Sequence, residues 1–124
     1  MREILFRGKG DKKYNDGVWY FGVPIRCYDG DWQICTNNSK RTVIPETIGQ
    51  YTGLSDKNGT KIFEGDIVLL KGDEEPCQVA FDECCFQVYD SSVCYVMDNF
   101  YDYEIEVIGN IHDNPELLEG DGSA

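Results

Sequence analysis

The chain reads as a mainly β protein, and three observations carry that reading. Its 124 residues include 2 Trp, 8 Tyr and 6 Phe, side chains that favour pleated, half-buried strands over helices. Short aromatic and β-branched runs recur along it, and Gly, Asn and Asp turn signals punctuate them. The expected architecture is an N-terminal antiparallel β portion over residues 1–47 and a C-terminal portion over residues 48–118. The second begins with a hairpin, continues as an SH3-like barrel and ends in a short helical turn; residues 119–124 should fray.

The elements follow in order. Ile4 to Arg7 opens as a strand, and a basic loop with Lys9, Lys12 and Lys13 leads to the Asp16-Gly17 turn. Val18 to Val23 is aromatic and β-branched and should be a strand that Pro24 weakens. Asp29-Gly30 turns the chain into Trp32-Gln33-Ile34-Cys35, which alternates as a half-buried strand does. Thr42-Val43-Ile44 is a short strand ended by Pro45. These pieces suggest an antiparallel meander.

The densest run of signals lies between Pro45 and Val68. Asn58-Gly59 is the dipeptide that best accepts the two positive φ angles of a type I′ turn, so Gln50–Leu54 and Thr60–Phe63 should pair as a hairpin. Glu64-Gly65-Asp66 turns the chain into the apolar run Ile67 to Leu70, with Asp66 capping the turn by accepting nearby backbone amides. Gly53, Asn58, Gly59, Gly65 and Asp66 are thus expected to be structural turn residues. Strands at Cys77 to Phe81 and Cys85 to Tyr89 should follow. Ser91 to Tyr103 is ambiguous, because Val93, Val96, Met97 and Phe100 have helical spacing in a β-like composition. Glu104 to Ile111 alternates as a closing strand, and Asn114-Pro115-Glu116 offers a cap, a proline and a carboxylate for a helical turn through Leu118.

The segment from Gln50 to Val68, Gln-Tyr-Thr-Gly-Leu-Ser-Asp-Lys-Asn-Gly-Thr-Lys-Ile-Phe-Glu-Gly-Asp-Ile-Val, resembles the signature of the YopX family of phage and prophage proteins. The opening Met1 to Lys9 and the close from Glu106 to Leu118 are similar to the same family's ends, so the resemblance spans nearly the whole chain. It implies an accessory protein of a phage or prophage in a bacterial cytoplasm. It carries over no catalytic residue.

Charge sharpens the functional expectation. Residues 1–61 hold ten Lys and Arg against seven acids, whereas residues 62–124 hold Lys71 alone against sixteen, within a net charge of −12. An acidic half of that density repels phosphate backbones and attracts basic surfaces. The simpler alternative is that the acids keep a small β protein soluble and its strand edges apart. No apolar run approaches the ~20 residues that cross a bilayer, and no secretory signal opens the chain, so a cytoplasmic location and no membrane partner are expected. Reduced thiols fit that compartment. Cys27, Cys35, Cys77 and Cys94 should then act as small buried apolar residues, and Cys84-Cys85 is a vicinal pair.

Each chemical motif meets a plainer explanation. The six cysteines and His112 contain no C-x-x-C pair, so no metal and no cofactor are expected. Acids around the cysteines disfavour the thiolate that catalysis needs, and His112 is the single histidine that could serve as base. Phosphate loops, nucleophile elbows and dinucleotide fingerprints are missing from the sequence. The first functional expectation is therefore a non-enzymatic module that binds a host or phage protein, with DNA-charge mimicry as one form of it. Its acidic face would comprise Asp73, Glu74, Glu75, Asp82, Glu83, Asp102, Glu104 and Glu106. The alternatives are a small-ligand-binding protein or carboxylate-dependent enzyme around Asp66, and nucleic-acid binding through Arg2, Arg7, Lys9, Lys12 and Lys13 with Trp19, Tyr20 and Phe21 as stacking platforms. The overall charge argues against the last. Open strand edges add homo-oligomerisation to the expectations.

Overall fold

The computed structural model describes residues 4–11, 13, 17–82, 85–97 and 100–118. These residues form two antiparallel sheets and divide into two compact units, Met1–Tyr51 and Thr52–Ala124. Arg2, Lys12, Asp16, Glu83, Cys84 and the tail 119–124 lie outside the described residues.

In the first unit, β1 (Phe6–Lys9), β2 (Trp19–Arg26), β3 (Trp32–Cys35), β4 (Lys40–Val43) and the start of β5 (Gly49–Ser55) pair in the order β4-β3-β2-β1-β5. This is the expected meander. It departs from expectation at Pro24, which does not end β2 but sits opposite Ile34 in the β2–β3 ladder. The reason is positional: β1 pairs only as far as Phe6 opposite Gly22, so on that side of Pro24 the missing N–H removes no ladder bond. Ile34 and Val43 are buried, and Gly8 lies directly against both. A 3-10 turn at Pro45–Thr47 returns the chain to β5; the Thr47 hydroxyl donates to the Ile44 carbonyl at 2.6 Å and accepts the Lys9 N–H at 2.8 Å.

In the second unit the far end of β5 turns into β6 (Lys61–Phe63). A five-stranded sheet follows, ordered β10-β9-β8-β7-β11. Its strands are β7 (Asp66–Leu70), β8 (Cys77–Asp82), β9 (Cys85–Tyr89), β10 (Cys94–Val96) and β11 (Ile105–Asn110). Alternation puts Cys77, Val79, Phe86 and Val88 into one core with Ile62, Val68, Leu70, Met97 and Ile105. The order is that of a meander whose last strand returns to its first, but the expected barrel does not close. Among the described residues no pairing joins β10 to β11, and β10 is three residues long with every one exposed, too short a ladder for closure.

Two further local expectations are corrected and one open stretch is resolved. The hairpin after β5 is not a two-residue type I′ turn. The Gly59 N–H donates to the Asp56 carbonyl at 3.0 Å, the Asp56 N–H donates to Thr60 at 2.9 Å, and Gly59 takes φ +82°. That is a three-residue loop closed by a left-handed glycine, in which Lys57 and Asn58 are the central pair. Among its described residues the ambiguous stretch forms β10 and a 3-10 turn at Asp102–Glu104, with Met97 drawn into the core while Tyr95 and Val96 stay outside. Finally, Pro115–Leu118 is a 3-10 turn, and the Asn114 side chain accepts the Asn110 N–H at 3.2 Å instead of capping the turn that follows it.

Candidate interaction surface

The turn residues of the central motif are fixed by two buried carboxylates. Asp66, 2% exposed, accepts the Phe63 N–H at 2.8 Å across the Glu64-Gly65 turn, where Gly65 takes φ +93°. Asp56, also 2% exposed, accepts the N–H groups of Asn58 and Thr60 on Oδ1 and of Val107 on Oδ2, each at 2.9 Å. Burial alone would raise the Asp56 pKa, but those three amides and the Lys57 charge hold it below the ordinary value. Asp56 is not among the expected turn residues, although its Asp-x-Asn-Gly-Thr spacing is the signature of an aspartate bonding its own turn. Gly53 lies within β5 at φ +89°.

The acidic residues distribute over several turns of the second unit. Asp73, Glu104 and Glu106 border one groove of about 330 Å³ with Lys57, Lys71 and Tyr103. Lys57 pairs with Glu106 at 3.4 Å, and the Lys71 N–H donates to the Glu104 carbonyl at 2.8 Å. Asp102 borders a second groove of about 440 Å³, shared with Gly53, Leu54, Ser55, Phe100 and Tyr101. Asp82 and Glu75 line separate depressions, each together with Asp90, and Glu74 is exposed on the β7–β8 turn. The structure thus gathers Asp73, Glu104 and Glu106, sets Asp102 beside Tyr101, and does not bring Asp82 or Glu75 to the same groove. Asp90 was missed in the sequence; its signal is the Asp-Ser-Ser turn, in which its Oδ1 accepts the N–H groups of Ser92 and Val93 at 2.7 and 2.9 Å.

Asp73, Cys77 and Asp90 place their side-chain donor atoms within 4.8 Å of one another. Cys77 is fully buried, and burial first, then the charges of Asp90, Asp73 and Glu75, push its thiol up to about 11. The sulfur therefore keeps its proton at neutral pH, while Asp73 Oδ1 accepts the Glu75 N–H at 3.0 Å and Asp90 caps its own turn. Three thiols depart from the expected burial: Cys27 and Cys35 are half-buried and Cys94 is exposed, because Cys27 lies just past the end of β2 and the other two sit at strand ends; Cys85, at the start of β9, is half-buried as well.

The residues weighed for nucleic-acid stacking do not form one platform. Trp19 and Phe21 share one face of β2 and Tyr20 points to the other; the Arg7 guanidinium lies 4.6 Å from the Trp19 ring, and that of Arg41 lies 5.8 Å from Tyr20. Arg7 is 8% exposed, so its charge is engaged inside the unit. His112 stands in the turn after β11, where its N–H donates to Asn110 Oδ1 at 3.0 Å.

These features define an all-β protein of two antiparallel units whose second unit exposes grooved, carboxylate-rich turns. The family model for the YopX protein matches residues 8–119, and the chain belongs to that family. Among solved structures it is similar to protein EF1440 from Enterococcus faecalis, with a TM-score of 0.63 and 24% identity over 96% of this chain and 100% of that one. It is also similar to protein yopX from Bacillus subtilis, with a TM-score of 0.56 and 22% identity over 97% and 98% of the two chains. At these identities the likeness concerns the fold. The search of curated proteins found no match. No helix among the described residues is long and apolar enough to cross a membrane.

Proposed function

We propose that this chain is a non-enzymatic binding module that engages a basic host or phage protein in the bacterial cytoplasm through the acidic turns of its second unit, in the manner of a DNA-charge mimic. The observation that carries the reading is the convergence of Asp73, Glu104 and Glu106 on one groove, with Asp102 on its neighbour. Sixteen acids against one lysine beyond residue 61 make that region a strong attractor for cations. Catalytic use of Asp66 has less support, because its carboxylate is buried and bonded to the turn backbone.

The test is capture of basic nucleic-acid-binding proteins from host lysate on immobilised protein across a salt series. Retention that weakens as salt rises, and is lost in an Asp73→Lys/Asp102→Lys/Glu106→Lys variant, supports the reading. Capture that is indifferent to both salt and charge reversal overturns it.

A further inference from the structure

We propose that the stacked pair Tyr101 and Tyr103 is the part of this acidic surface that reads a partner, and that what it reads is an arginine-bearing segment of a protein; the inference rests on the protein-binding reading above. The two side chains are 68% and 56% exposed, and their rings lie parallel, 5.5 Å apart with 5° between planes. Large aromatic rings stacked on each other in solvent are organised rather than scattered surface. The backbone fixes them. Glu104 Oε1 accepts the Tyr101 N–H at 2.8 Å, the Glu104 N–H donates to the Tyr101 carbonyl at 2.9 Å, and the next residue, Ile105, is anchored in the core at 1% exposure.

The molecule itself shows what such a ring takes. Lys71 Nζ lies 5.4 Å from the centre of the Tyr103 ring, an internal cation on an aromatic face. No cation among the described residues covers Tyr101, the more exposed of the two, and Asp102 stands between the pair in sequence with its side chain exposed. Carboxylate-bordered grooves lie along both tyrosines, one at Tyr101 and one at Tyr103. A guanidinium suits this arrangement better than an ammonium, since it is planar, stacks on aromatic faces and presents a donor fork to a carboxylate. The acidic excess beyond residue 61 favours a cationic occupant even with Lys57 and Lys71 in the groove, and the rings select among cations.

The test uses labelled oligo-arginine and oligo-lysine of equal length, followed by fluorescence anisotropy at low salt. The expected result is tighter binding of oligo-arginine. Tyr101→Ala/Tyr103→Ala should weaken it by about threefold to thirtyfold and abolish the preference, while Tyr101→Phe/Tyr103→Phe keeps both. Unchanged thermal unfolding of the variants confirms that the exposed substitutions leave the fold intact. Equal binding of the two peptides, insensitive to the alanine pair but lost in Asp73→Lys/Asp102→Lys/Glu106→Lys, overturns the tyrosine assignment and leaves the acidic-surface reading standing. Failure of both peptides to bind overturns both readings. A concentration-dependent dimer that disappears in the alanine pair identifies a second copy of this chain as the occupant and overturns the proposal.

Discussion

The carboxylate of Asp56 accepts the backbone N–H of Val107 at 2.9 Å, across 51 residues of chain. The same side chain closes the hairpin loop through Asn58 and Thr60, so one buried group ties the most recognisable turn of the sequence to the strand that completes the second sheet. Removing it leaves three amides without their acceptor. Asp56→Ala is expected to destabilise the protein by about 3 kcal/mol, because orphaned buried donors cost more than a single hydrogen bond contributes. Urea unfolding of the variant beside the wild type measures this; a change within about 0.5 kcal/mol, the range of an ordinary surface substitution, would show that water replaces the carboxylate.

Because the Asp56 pKa is lowered in the folded protein, the folded state binds its proton less readily than the unfolded chain, whose group titrates near 3.8. Its contribution to stability is fully present above that value and is lost as pH falls through the lower folded pKa. Asp56→Asn keeps one oxygen acceptor and removes the titration. Its unfolding free energy should therefore lie below that of the wild type at neutral pH, and the difference should shrink below pH 3.8. Parallel curves across the acid range would mean that other carboxylates carry the acid sensitivity.

Much of this framework was legible because turns are local. Gly59 and Gly65 announce backbone that side chains resist, and Val79 and Val88 alternate with less buried neighbours as core-facing strand residues do. What was not legible depends on neighbours remote in sequence. Pro24 reads as a residue that weakens its strand until the end of β1 opposite Gly22 is known, and Ser91 to Tyr103 fits either period until Met97 is seen in the core. The candidate surface follows the same division. Its charge was evident by counting, but that Asp73 meets Glu104 and Glu106 while Asp82 and Glu75 turn elsewhere depends on which strands lie side by side. Asp56 is the instructive omission, a carboxylate counted with the charges whose work is backbone bonding.

The thiols should separate by reactivity. Cys94 is exposed, its Sγ donating to Gln87 Oε1 at 2.9 Å, whereas Cys77 is fully buried with a pKa pushed up to about 11. At pH 8 only about one Cys77 in a thousand is thiolate, the reactive form. Peptide-resolved mass spectrometry after iodoacetamide treatment should find Cys94 alkylated in the folded protein and Cys77 only after unfolding; equal rates would contradict the burial. The raised pKa also sets a sign. The stability it contributes is complete below the unfolded value of 9.0 and is lost as pH rises toward about 11, a loss that Cys77→Ala should lack.

Two glycines distinguish strain from collision. Gly59 sits at φ +82° with nothing within 4 Å of where a Cβ would stand, so Gly59→Ala costs only the strain of a left-handed backbone, about 1 kcal/mol. Gly22 has no such φ, but a Cβ there would stand 2.0 Å from the Cys35 carbonyl oxygen and 3.2 Å from Ile34. That oxygen belongs to β3, paired with β2 through Val23 opposite Cys35, so it cannot retreat without opening the ladder. Gly22→Ala should therefore cost more than Gly59→Ala, by about 2 kcal/mol or more, as overpacking against backbone does. Thermal unfolding of the two variants ranks them directly. If Gly59→Ala proves the more damaging, the left-handed glycine holds the hairpin loop more tightly than its open surroundings indicate.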